Sequence, residues 1–184
     1  MSVAELKKLV PPPANPVEAG PANGWKAIEE RLNVKLPDDY KDFGLAYGTG
    51  RFCRGFLEIY NPFSKSYEAI VDAEARFLKG VKEAGMDLPY DVYPAEPGLF
   101  PLGRDENGHS IYWLMKNPSN SFQIVLRRHE NVYETYSLTL TTFLARALAN
   151  RIRPIIWPDP FRADELVFEP IKPKNSPKPK KRRK

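Results

Sequence analysis

The sequence predicts an α+β fold: a central, mostly antiparallel sheet flanked by helices, with a Pro-rich N-terminal arm and a disordered basic C-terminal tail. Three observations carry that expectation. Helical stripes and strand-like segments come in blocks, not in the steady alternation that builds parallel βαβ units. Asn107-Gly108 is the strongest hairpin signal in the chain, because both central residues of a type I′ turn need positive φ. Ile111, Trp113 and Met115 alternate with Tyr112 and Leu114, so both faces of that segment are apolar, as in a central strand covered on both sides.

Taken in order, Ala4 to Leu9 suits one or two helical turns. Pro11, Pro12, Pro13, Pro16 and Pro21 then read as an extended arm, because proline removes backbone donors and disfavours helix in the residue before it. Asn23 is an expected N-cap, followed by Trp25, Ile28 and Leu32 on one helical face. Pro37 opens a second helix with Asp38 and Asp39 at its positive end, a stripe of Tyr40, Phe43 and Tyr47, and Gly48 to end it. Gly55 to Tyr60 reads as a strand stopped by Asn61-Pro62. A long helix follows over about Lys65 to Ala84, with the stripe Ile70, Ala73, Phe77, Val81 and Ala84. Residues 85–98, rich in proline, read as loop. A meander comes next: strands over Leu99 to Leu102, His109 to Met115, Phe122 to Arg127 and Val132 to Tyr136, separated by turns at 104–108, 117–120 and 129–131. Thr139 caps a last helix whose buried face is Leu140, Phe143, Leu144, Ala147, Leu148 and Ile152. Residues 153–171 look irregular, with Trp157 as the anchor that ties them to the body.

The chain thus divides into an arm (1–21), an α+β domain (22–152), an irregular extension (153–171) and a tail (172–184). Its 184 residues suffice for a substantial core without disulfides or metal. No apolar run approaches the roughly 20 residues of a membrane span, and the N-terminus lacks the apolar region of a secretory signal, so a cytoplasmic location is expected, or a nuclear one in a nucleated source. The formal charge of +5 belongs to the tail, which holds eight basic residues and no acid from Lys172 onward. Without them, 20 basic residues face 23 acidic ones, and the body is −3. The tail, through Lys178, Lys180, Lys181, Arg182, Arg183 and Lys184, suits weak non-specific contact with nucleic acid or another anionic surface, a localisation signal, or no dedicated partner at all.

Nothing in the sequence carries catalysis. Phosphate-binding, nucleophile-elbow and zinc-protease motifs are absent. Cys53, the only cysteine, reads as a small residue at a strand edge, and His109 and His129, the only histidines, as turn residues. No catalytic, cofactor-binding or metal-ligating residue is therefore expected. Asp38, Asp39 and Asp42 on a helix start, with Asp105 and Glu106 at a hairpin tip, are the acidic positions offered to a protein partner.

Several of these residues also form a pattern. Trp25-Lys-Ala-Ile-Glu29, Leu32, Leu36-Pro37-Asp-Asp-Tyr40 and Tyr47-Gly48-Thr-Gly50 resemble the start of the SUKH superfamily. Leu57-Glu-Ile59 with Asn61-Pro62 resembles its first strand. Gly98-Leu-Phe-Pro-Leu-Gly103, Asp105, Gly108 and Tyr112-Trp113 resemble its glycine, strand, acidic turn and strand signature, and Phe143-Leu144 falls where its closing helix is expected. The resemblance runs from Trp25 to Leu148. It implies a non-catalytic α+β domain: in bacteria mostly an immunity protein that binds and neutralises a polymorphic toxin, often a nuclease; in fungi a regulator of cell-wall synthesis and signalling. Arm, extension and tail lie outside the resemblance.

Overall fold

A computed structural model describes residues 3–86, 88–116, 121–130, 132–157 and 159–171. Five helices and eight strands follow one another as α1 (Val3–Leu9), α2 (Trp25–Leu32), α3 (Asp38–Tyr47), β1 (Gly50–Phe52), β2 (Leu57–Ile59), α4 (Tyr67–Glu83), β3 (Asp91–Val92), β4 (Gly98–Asp105), β5 (Ser110–Met115), β6 (Gln123–Arg127), β7 (Tyr133–Tyr136), α5 (Leu140–Leu148) and β8 (Phe168–Pro170). The strands form one sheet in the order β7-β6-β5-β4-β2-β1-β8, antiparallel throughout, with β3 added in parallel on β4. The α+β reading holds.

The pleat divides the core in two. Phe100, Leu102, Ile111, Trp113, Ile124 and Leu126 point to one face, where α1, α2, α3 and α5 pack. Leu99, Tyr112, Leu114 and Val125 point to the other, where Leu78 of α4 covers them. All six residues of β5 are buried, as its doubly apolar pattern predicts. Pro101 is tolerated inside β4 because the register shifts between Pro101 and Gly103, a bulge at which no ladder donor is needed.

Local chemistry explains most boundaries. α3 starts at Pro37 and stops at Gly48, whose φ is 65°. A Cβ there would meet the Val17 carbonyl oxygen at 2.2 Å, so glycine is required where the arm bridges the end of α3. Thr139 caps α5, its hydroxyl accepting from Thr142 N–H at 3.4 Å. α2 departs from expectation. Gly24, not Asn23, occupies its N-cap, with no side-chain hydrogen bond, and left-handed Asn33 closes it.

Four further departures have physical causes. The inner face of α4 is Tyr67, Ile70, Val71, Glu74, Leu78 and Val81, while Ala73 is exposed and Phe77 is 45% exposed. Glu74 accepts from Ser110 Oγ at 2.9 Å and from the Tyr112 hydroxyl, so a charged residue sits on the inward side and shifts the apolar stripe. Phe77 lies instead under the Arg127 guanidinium, 4.7 Å from its ring centroid. At the β4–β5 hairpin only Gly108 has positive φ (79°). Gly108 N–H closes the turn on the Asp105 carbonyl, so this is one left-handed residue after a tight turn, not a type I′ pair. Residues 85–98 contain the short strand β3. Residues 153–171 are not wholly irregular: β8 pairs with β1 and becomes the edge of the sheet, Phe168 packing on Tyr47 and Phe52.

The arm is also part of the body. Leu6 and Val10 have no exposed surface, and the Val10 carbonyl accepts from the Tyr47 hydroxyl at 2.7 Å. Asn61 Nδ2 donates to the Glu18 carbonyl and to Thr49 Oγ1, both at 2.8 Å. The turn expected at 117–120 and the tail lie outside the described residues.

Candidate partner-binding surface

The sequence-predicted acids are not one patch. Asp38 opens α3 with its side chain 90% exposed and paired with Lys41 at 3.4 Å. Asp42, one turn on, is exposed as well. Asp39 is turned inward by half, and its Oδ2 accepts from the backbone N–H of Thr141 at 3.0 Å. It thereby caps α5 from a neighbouring helix, a structural task absent from its expected role as a contact residue. Asp38 and Asp39 border a small cavity of about 140 Å³ with Trp113 and Leu140.

The hairpin acids behave differently from each other. Glu106 is exposed and borders a larger cleft of about 380 Å³. Asp105 corrects the expectation of a partner contact, because its side chain is fully buried. Its Oδ1 accepts from His109 N–H at 3.0 Å and its Oδ2 lies 2.9 Å from His109 Nδ1. Burying both oxygens is tolerated because hydrogen-bond partners replace their water. His109 in turn packs on His129, ring centroids 4.9 Å apart, and His129 Nε2 donates to the Asn107 carbonyl at 2.6 Å. This knot of side chains shapes the hairpin and leaves Glu106 outward at its tip.

Cys53 lies at a left-handed position (φ 54°) beside the same cleft. Burial, with the Glu165 charge adding to it, pushes its thiol up to about 12, so the sulfur stays protonated and a poor nucleophile. Among the described residues no group of three or more His, Cys, Asp or Glu is placed to hold a metal ion. The tail positions Lys178, Lys180, Lys181, Arg182, Arg183 and Lys184 lie outside the described residues.

Two features were missed by sequence reasoning. Glu29, on the first helix stripe, is 7% exposed. It accepts from Lys41 Nζ at 2.8 Å, from Leu36 N–H at 2.9 Å and from Lys35 Nζ at 3.0 Å. Burial works to raise its pKa, but these three donors prevail and hold it down at about 2. Glu29 thus ties α2 to the start of α3. Its place in an apolar helix face, directly after Ile28, was the available signal. The second feature is the ring cluster of Phe56, Trp157 and Phe161, joined by edge-to-face contacts. Trp157 was expected to anchor the extension, and it is 3% exposed. Its partners, 101 and 4 residues away in sequence, were not foreseeable from spacing.

Compared with known proteins, residues 23–144 match the family model described as SUKH_6, SMI1-KNR4 cell-wall. The match starts just before α2 and ends inside α5, taking in α3, the sheet from β1 to β7 and the β4–β5 hairpin. No curated protein matches, and no solved structure matches. Because the matched residues are well over half of the chain and follow its α+β core element by element, the chain belongs to the SMI1-KNR4 family of the SUKH superfamily.

Proposed function

We propose that this chain is a non-catalytic protein-binding domain, an immunity protein that binds a polymorphic toxin, often a nuclease, and neutralises it by occlusion in the cytoplasm. The observation that carries this reading is the division of its acids. Inside the family core, Asp38, Asp42 and Glu106 stay exposed on a body of net charge −3, while Asp105 and Glu29 are spent on internal bonds. Exposed carboxylates on a rigid frame complement the cationic cleft with which a nuclease holds phosphates, and such complementarity raises association rate and specificity. The groups that most resemble catalytic ones are committed elsewhere: the thiol is protonated and His109 is bound to a buried carboxylate.

The test is co-expression of the full chain with the toxin domain encoded beside its gene. Cell survival and a one-to-one complex on gel filtration are expected. A folded chain that neither rescues growth nor binds the toxin domain overturns the reading, as does a gene with no toxin beside it. A second contact is supported by the charge division itself. Eight uncompensated positive charges from Lys172 to Lys184 suit weak, sequence-independent binding to phosphates, which gives the alternative of a regulatory scaffold or nucleic-acid-associated protein acting through the tail.

A further inference from the structure

A cleft of about 380 Å³ lies where Trp157, residues 159–162 and Glu165 meet Cys53, Phe56 and the β4–β5 hairpin. Its wall holds three aromatic rings, Phe56, Trp157 and Phe161. Their centroids are 5.6, 5.7 and 6.3 Å apart and their planes cross at 73°, 69° and 64°. Its rim holds three carboxylates, Glu106, Asp159 and Glu165, against one guanidinium, Arg162. That guanidinium is already committed, its Nε donating to Asp164 Oδ1 at 3.2 Å. Glu106 and Asp159 are exposed and have no ion-pair partner among the described residues. The backbone of Glu106 is fixed, its N–H donating to the Phe56 carbonyl at 2.7 Å. Trp157, almost wholly buried in the wall, carries an indole N–H with no acceptor among the described residues.

We propose that this cleft receives a cationic side chain, arginine or lysine, from a protein partner. The inference rests on the reading of the chain as a protein-binding domain and adds one specific contact to it. Aromatic rings attract a cation through their quadrupole, and arginine also stacks on them. Unpaired carboxylates at the rim supply the counter-charge. An apolar side chain leaves Glu106 and Asp159 without one, and an acidic side chain is repelled by them. Trp157, Asp159, Phe161 and Glu165 lie beyond residues 23–144, so the cleft joins residues inside the matched core to residues outside it.

The test follows the indole N–H resonances of the full chain by NMR during titration with the blocked tripeptide Ala-Arg-Ala, with blocked Ala-Ala-Ala as control. The Trp157 resonance, assigned with Trp157→Phe, should shift saturably with the arginine peptide and not with the alanine peptide, while those of Trp25 and Trp113 stay in place. In the double variant Glu106→Gln, Asp159→Asn, both at exposed positions, affinity should fall about tenfold. No shift with the arginine peptide, equal shifts with both peptides, or unchanged affinity in the double variant overturns the proposal. A Trp157 shift in the peptide-free chain when salt alone is raised also overturns it, because the cleft then holds basic residues of its own chain. None of these results touches the co-expression test, so toxin binding with a silent cleft removes this contact and leaves the proposed function standing.

Discussion

Trp113 is 2% exposed and packs edge-on to Tyr40 at 4.7 Å, while Trp25, 5% exposed, meets Phe63 at 4.9 Å. Each ring packs on an aromatic side chain from another part of the chain. Truncating either to Ala should cost about 3–5 kcal/mol, read from denaturant unfolding; near-wild-type stability with lost partner binding would make them surface anchors instead. Glu29 gives a pH-dependent counterpart. Its folded pKa is depressed to about 2 from 4.5, so the stability it contributes is present above about 4.5 and is lost as pH falls toward 2. Glu29→Gln should destabilise the chain at neutral pH by about 1–3 kcal/mol and flatten its acid-unfolding curve across that window; an unchanged curve contradicts the assignment. Both tryptophans were legible in the sequence, since an aromatic on an apolar stripe has few places to go. Glu29 and Asp105 were not. A carboxylate in a sequence reads as surface, and what reverses that reading is where Lys41, Leu36 N–H and His109 end up, which depends on how turns fold.

At the scale of elements, α3 and α5 were legible because their ends carry chemistry: Pro37 and Gly48 bound one, Thr139 caps the other. Thr139→Ala should lower stability by about 1 kcal/mol, measured as a shift in denaturant midpoint. The stripe of α4 was read out of phase because Glu74 faces inward to serve Ser110 and Tyr112. β1 and β8 were invisible for a different reason. Three-residue strands are too short to show a period of two, and their pairing joins residues more than 100 apart in sequence. That pairing has a measurable consequence. Phe168 covers Tyr47 and Phe52 at the sheet edge, so Phe168→Ala should cost about 2 kcal/mol, less than a full core truncation because the ring is half-buried. A chain ending at Ile171 keeps β8 and should melt within about 5 °C of the full chain, whereas one ending at Val167 loses the strand and should melt clearly lower.

For the whole molecule the governing quantity is charge and its division. The acidic candidates fall on two sites, the start of α3 and the hairpin tip, and the sequence named residues of both without showing that they border different cavities. DNA binding should reside in the tail: the full chain should bind weakly, with a log–log salt slope of about −0.9 per phosphate contacted, and the chain ending at Ile171 should not bind at physiological salt. Tight DNA binding by the shortened chain would remove the electrostatic support for an acidic protein-binding body. In the proposed function this body captures a basic toxin through its exposed acids. The most direct test is the association rate constant of the full chain with the toxin domain encoded beside it, at about 50 and 500 mM salt, for the wild type and for Asp38→Asn, Asp42→Asn, Glu106→Gln combined. The account predicts a wild-type rate constant that falls at least about tenfold with salt, and a variant that associates slowly at both. A wild-type rate constant unchanged by salt, or a variant as fast as the wild type, contradicts it.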